Sequence, residues 1–184
     1  MDTTEAILIG RNRYSETSLI VHWFCPEAGL FQTMAKGALR PKSAFAGRLD
    51  LFVTADLRWV KSKSGDLHTL AEVSWKSGRL ELRSSYGRVL AATYFTRLIE
   101  QVVEPHAPVP EVYELLTKAL DYLAGKDPSV ALVNRFEARM VEFLGLGSEM
   151  GNARAVRLLE DAAHRSMPVV RKNLLDWIQS HAGE

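Results

Sequence analysis

Apolar and polar positions along this chain change period near Leu82. Before that point they read as strands. Ala6-Ile7-Leu8-Ile9 is a short apolar run. Thr17 to Phe24 is rich in β-branched and aromatic residues, and Leu30 to Ala35 follows directly after Gly29. Leu51, Val53, Ala55, Leu57 and Trp59 alternate with Phe52, Thr54, Asp56, Arg58 and Val60, close to the period of two that a half-buried strand requires. Thr69 to Trp75 is a fifth run, after the turn residues Ser64-Gly65-Asp66. Five short strands with a longer third-to-fourth connection predict a small OB-type barrel.

Beyond Leu82 the period is helical. Tyr86, Val89, Leu90, Thr93, Tyr94 and Leu98 recur at three- and four-residue spacing. The proline-rich stretch Glu104 to Pro110 ends that helix. Val112, Leu115, Leu116, Ala119 and Leu123 mark a second, ending near Gly125. Asp127-Pro128 predicts the start of a third, with a capping carboxylate and then a residue of fixed φ. Val133, Phe136, Met140, Val141 and Leu144 form its stripe, and two more helices are expected over 155–163 and 168–181. The expected fold class is therefore α+β. A five-stranded OB-type barrel over residues 1–81 is followed by an all-α domain over residues 82–184.

Composition narrows the classes. The chain has 184 residues, 47% hydrophobic and 24% charged, as a protein with a substantial core has. No apolar run is long enough to span a bilayer and Met1 to Glu5 lacks a signal-peptide pattern, so a soluble intracellular protein is expected. The single cysteine, Cys25, excludes an internal disulfide. His22, His68, His106, His164 and His181 are scattered without metal-ligand spacing, so neither a metal nor a cofactor is expected. Gly145-Leu146-Gly147 follows a helix and reads as a helix-ending turn, not a dinucleotide loop. No phosphate-binding loop or nucleophile elbow is present, and no enzyme is expected.

Charge changes the picture. Net charge is only +1, yet no acidic residue lies between Glu27 and Asp50. From Lys36 to Lys63 the basic residues Lys36, Arg40, Lys42, Arg48, Arg58, Lys61 and Lys63 face only Asp50 and Asp56. Local excess of this kind attracts polyanions whatever the total charge. In an OB barrel these residues fall on the loops that meet nucleic acid. The first loop is assigned Arg11, Arg13 and Tyr14, the third-to-fourth connection Lys36, Arg40, Lys42 and Arg48, and the fourth-to-fifth loop Lys61 and Lys63. Together they form the candidate DNA-binding set, with Tyr14 the base-stacking candidate. Trp23, Phe31, Trp59 and Trp75 are assigned to the core, and Trp177 to packing among the helices.

The residues also resemble the RecO family of bacterial recombination mediators. The resemblance runs through Arg13 to Val21, Gly29, Ala35-Lys36-Gly37-Ala38 with Arg40 and Ser43, and Gly47, Leu49 and Phe52. It continues through Leu67, Leu70 and Val73, then Ala91-Ala92 with Tyr94, and Phe143 to Gly147. It implies binding of single- and double-stranded DNA and annealing of complementary strands. It also implies work with RecR to load RecA on DNA coated by single-strand-binding protein, whose acidic, apolar C-terminal tail is met by the helical domain. Lys36, Arg40 and Lys42 would inherit DNA contact, with Arg11 and Arg13 beside them, and Arg135, Arg139, Arg154 and Arg157 are basic candidates for the tail. A cytoplasmic, nucleoid-associated bacterial protein is implied. Many relatives carry a four-cysteine zinc module. Here Gly147-Ser148-Glu149-Met150-Gly151 leads into the next helix without cysteines, and the module is expected to be missing from a chain short for the family. The competing readings are a diverged OB module that binds RNA or a protein partner, and an unrecognised enzyme.

Overall fold

The computed structural model describes residues 1–148 and 151–181. Five strands come first: β1 (Asp2–Arg13), β2 (Leu19–Cys25), β3 (Gly29–Ala35), β4 (Thr54–Val60) and β5 (Leu67–Ser77). They close into a barrel in the order β1-β2-β3-β5-β4. All neighbours are antiparallel except β3 and β5, which run parallel. This is the OB arrangement. A 3₁₀ turn at Leu80–Ser84 leads to α1 (Tyr86–Val102), α2 (Pro110–Gly125), α3 (Val130–Phe143), α4 (Asn152–Ala163) and α5 (Val170–Ser180). Among the described residues no helix is long and apolar enough to cross a membrane.

Contacts divide the chain into two compact units, one of Met1–Arg79 with Glu104–Tyr113, the other of Leu80–Val103 with Glu114–Glu184. In the first, alternate residues of each strand point inward. Leu19, Val21, Trp23 and Cys25 of β2 meet Phe31 and Ala35 of β3 and Ala55 and Leu57 of β4. The β3–β4 connection is a succession of tight turns, with Ser43 N donating to Arg40 O at 3.0 Å and Arg48 N to Phe45 O at 3.0 Å. Phe45 and Leu49, four residues apart, lie on one side of it and join the barrel core. That anchoring leaves the connection's cations no place but the surface.

The stretch between α1 and α2 completes the barrel. β5 pairs with β3 only from Gln32 onward, so Gly29, Leu30 and Phe31 lack a β5 partner. Leu30 instead bridges Pro105 in parallel, and His106 N donates to Leu30 O at 3.0 Å. Tyr113 packs its ring 5.8 Å from Phe24 and donates its hydroxyl to Glu5 Oε1 at 2.9 Å.

In the helical unit Phe95 of α1 stacks on Phe136 of α3 at 4.0 Å. Glu137 is fully buried, where Arg171 of α5 grips it with two bonds of 2.7 and 3.1 Å and the Tyr94 hydroxyl donates to it at 2.5 Å. Gly87 lies against the Trp177 ring, as the packing assignment of that tryptophan requires.

Several expectations need correction. β1 runs from Asp2 to Arg13 and is far longer than its apolar run, so Arg11 and Arg13 lie on a strand and not in the first loop. Leu51 precedes β4 and is exposed. Asp127 does not cap α3; Ser129 does, its hydroxyl accepting from Leu132 N, while Asp127 pairs with Arg88 at 2.8 Å. Trp75 is not core: it is 38% exposed, its indole donating to Arg48 O at 2.6 Å. The turn after α3 is as expected, with Gly145 at φ 68° and Leu146 N bonded to Val141 O. Glu149 and Met150, where the missing-module reading falls, lie outside the described residues.

Candidate nucleic-acid interface

Strand register decides which cations meet. Arg13 of β1 pairs with Leu19 of β2, and Leu19 pairs with Ala35 of β3. The end of β1, the start of β2 and the exit of β3 therefore share one end of the barrel. Two hydrogen bonds join the loops there: Leu39 N donates to Thr17 O at 2.9 Å, and Gly37 N to the Ser18 hydroxyl at 3.2 Å. Gly37 makes the turn possible at φ 68°, a conformation costly for a residue with a Cβ. Arg13, Tyr14, Lys36, Arg40 and Lys42 are all exposed on this rim.

The rim is built to hold its charge outward. Arg13 folds over its own loop, donating to Ser15 O at 3.2 Å and Glu16 O at 3.3 Å. The Arg40 side chain lies over Gly37, whose Cβ position would be 3.4 Å from Arg40 Cδ. Among the described residues Lys36, Arg40 and Lys42 make no ion pair. Cations left unneutralised by the protein are the ones that release counterions when phosphate arrives.

The remaining candidates are placed elsewhere or differently used. Arg11 donates a guanidinium N–H to Leu49 O, which ties β1 to the β3–β4 connection. Arg48 reaches Val73 O at 3.2 Å and lines a groove over β1, β4 and β5 with Glu5, Asp56 and Glu72. Charges on that face are already matched: Arg58 with Glu72 at 3.0 Å, and Lys76 with Glu5 at 2.6 Å and Asp56 at 3.6 Å. The Lys76 ammonium holds the Glu5 carboxyl below its ordinary range. Lys61 and Lys63 stand on the β4–β5 loop, beside the start of β3: Ser62 N donates to His68 Nδ1, and Asp66 lies 3.7 Å from His106, which is bonded to Leu30. Val60 pairs with Thr69 and Thr69 with Met34, so the end of β4 that leads to Lys61 lies across β5 from the end of β3.

Under that loop Trp59 stacks on His68 at 4.5 Å and meets Phe31 at a tilt, 5.2 Å between ring centres. Burial, and then the neighbouring His106, hold the His68 imidazole below its ordinary range. Cys25 is fully buried, and burial pushes its thiol up, away from nucleophilic reactivity. Among the described residues no three metal-ligating side chains gather. Sequence reasoning missed Ser18, which positions the rim through Gly37. A serine hydroxyl bonding across nineteen residues leaves no local signal.

A five-stranded OB barrel with a basic rim at its β1–β2 and β3–β4 loops, continuing into helices, defines the class by its architecture. Family comparison makes it particular. Residues 1–79 match the family model described as recombination protein O N terminal, and residues 83–152 the one described as recombination protein O C terminal. The chain belongs to the RecO family. It is 32% identical over 141 residues to the DNA repair protein RecO of Actinobacillus pleuropneumoniae serotype 7 (strain AP76), covering 76% of this chain and 57% of that one. It is 30% identical over 132 residues to the DNA repair protein RecO of Nitrosospira multiformis, covering 72% and 53%. For that of Methylococcus capsulatus the identity is 28% over 145 residues, covering 79% and 58%. The chain spans little more than half the length of these curated relatives.

Proposed function

We propose that this chain is a non-catalytic DNA-binding protein of repair and recombination, gripping DNA by the rim of Arg13, Lys36, Arg40 and Lys42. The observation that carries this reading is a cluster of exposed cations, of which Lys36, Arg40 and Lys42 make no ion pair among the described residues, on loops held together by the Thr17–Leu39 and Ser18–Gly37 bonds, in a member of the RecO family. Arg11 and Arg48 support the rim from the connection, Tyr14 stands beside it, and Lys61 and Lys63 extend the field along the barrel. Bound cations reduce repulsion between phosphate backbones, which is the physical requirement for annealing complementary strands. Single- and double-stranded DNA are both ligands on this reading. RecR and single-strand-binding protein are its partners, and loading of RecA on the coated strand is the outcome.

The helical unit supports the partner half of the proposal. An open groove of about 590 Å³ combines Arg165, and Arg97 paired with Glu100 at 2.7 Å, with Met167, Pro168 and Val169, the last 81% exposed. Cations beside exposed apolar side chains suit an acidic, apolar tail. Arg135, Arg139, Arg154 and Arg157 are exposed on α3 and α4, with Arg139 held by Glu142 at 2.5 Å.

Lys36→Glu combined with Arg40→Glu tests the rim. Both side chains are exposed, so the thermal midpoint is expected to stay put. Affinity for a labelled oligonucleotide at low salt is expected to fall at least about tenfold, with a flatter salt dependence. Unchanged affinity in a fluorescence anisotropy titration would remove the rim from the interface.

A further inference from the structure

We infer that the β4–β5 loop, Lys61 to Asp66, is closed by a proton-operated latch: neutral His68 holds the loop against the barrel, and protonation of His68 releases it. The latch is a property of the barrel alone and does not depend on the DNA reading.

The hydrogen bonding requires a neutral ring. Ser62 N donates to His68 Nδ1 at 3.3 Å. A backbone N–H can only donate, so Nδ1 is the acceptor and the ring proton sits on Nε2. A second proton would set one donor against another and break the bond. The surroundings are equally unsuited to a cation. His68 is 4% exposed. It lies on the Trp59 indole of β4, 4.5 Å between centres and 18° between planes, with Phe31 of β3 6.4 Å away. Four titratable groups act on it: His106 from the stretch after α1, 6.0 Å ring to ring, Lys61 and Asp66 from the loop, and Asp2 from β1. The two basic groups oppose a charge on His68 and the two carboxylates favour it. Burial is the strongest influence, and it works against the charge. A histidine whose pKa is depressed in the closed state takes up its proton more readily once released. The latch is therefore fully closed above the free-histidine range and weakens as pH falls through and below it.

Little else secures the loop. Asp66 lies 3.7 Å from His106, but it is 91% exposed, so even with His106 protonated that pair adds little. Gly65 at the tip has φ 103° and nothing within 4 Å of its Cβ position. The closed state also carries a cost of its own. Trp59 Nε1 is buried without a hydrogen-bond partner among the described residues, where buried donors are normally paired. Water admitted under a lifted loop would satisfy it. One bond that a proton abolishes, on a loop with few other ties, above a donor that lacks an acceptor, gives two states of similar free energy. Release displaces Lys61 and Lys63, so acidity sets where two of the barrel's cations stand.

Hydrogen exchange at the Ser62 amide, followed by NMR on the full chain beside the His68 ring signal, tests the latch. Amides of the β4–β5 ladder serve as the reference for opening of the whole barrel. In the wild-type protein the Ser62 protection factor is expected to fall at least about threefold as His68 titrates, while the ladder stays protected. His68→Asn keeps an acceptor near the Nδ1 position that does not titrate, and is expected to hold Ser62 protection constant over the same pH range. His68→Phe keeps the ring stack without the acceptor, and is expected to show low protection at every pH. Ser62 protection that ignores the His68 titration overturns the latch. So does a His68→Asn protein that loses protection as the wild type does, or a His68→Phe protein that keeps it.

Discussion

Gly29 shows how much one hydrogen can decide. It sits at φ 59°, and a Cβ there would lie 2.1 Å from Ala107 O. Gly47 has nearly the same backbone, φ 69°, but nothing within 4 Å of its Cβ position. The pair separates conformational cost from steric cost. Gly47→Ala is expected to cost about 1–2 kcal/mol, the penalty of left-handed backbone alone. Gly29→Ala adds the displacement of the Pro105–Ala107 segment, about 1–3 kcal/mol more. Urea unfolding followed by tryptophan fluorescence checks the difference, and equal losses would mean that Ala107 does not press on Gly29. At this scale the sequence was partly legible. Gly29 was recognisable as punctuation before β3, and Lys36, Arg40 and Lys42 as cations of the β3–β4 connection. The fates of Arg11, Arg48 and Trp75 were not, because each is fixed by a backbone carbonyl remote in sequence. Composition carries no record of such carbonyls.

Elements were more legible than residues, because periodicity is a property of many positions. Each of the five strands contains an apolar run visible in the sequence, and the helical stripes were visible too. Their ends were not. Asp127-Pro128 has capping chemistry, but the carboxylate is taken by Arg88 and Ser129 caps α3 two residues later. The stripe of α3 also hid its most consequential residue. Glu137 lies among Val133, Phe136, Met140 and Val141, a carboxylate on the apolar face, held by Arg171 and Tyr94. A buried ion pair adds little over an apolar replacement, but breaking it strands a charge. Arg171→Met is therefore expected to destabilise the helical unit by about 3–5 kcal/mol. Adding Glu137→Met and Tyr94→Phe removes the orphaned groups together, and the triple variant is expected to recover most of that loss in chemical denaturation. A triple variant no more stable than Arg171→Met would show that packing geometry, not charge, governs the site.

At the scale of the molecule, the barrel is completed from a distance. A boundary near residue 80 follows from the change of period, and the N-terminal family match ends at residue 79. Yet the edge of β3 from Gly29 to Phe31 is covered by Pro105 and His106, residues that lie beyond α1. Nothing in the proline-rich stretch Glu104 to Pro110 announced this, since prolines read as a connection and not as part of a sheet. The consequence is that residues 1–79 alone carry an open strand edge and an uncovered Phe24 ring. Unpaired edges recruit other chains. A fragment of residues 1–79 is expected to unfold at lower urea than a version with residues 104–113 appended through a flexible linker, and to self-associate on a sizing column. The appended segment is expected to restore both stability and the monomer. Mutating Tyr113 to Phe within it removes the hydroxyl that donates to Glu5 and is expected to cost about 1.5–3 kcal/mol, as for a bond to a charged group. If the bare fragment were as stable and as monomeric as the extended one, the edge would be closed by β5 alone, and the segment between the first two helices would be a connection and nothing more.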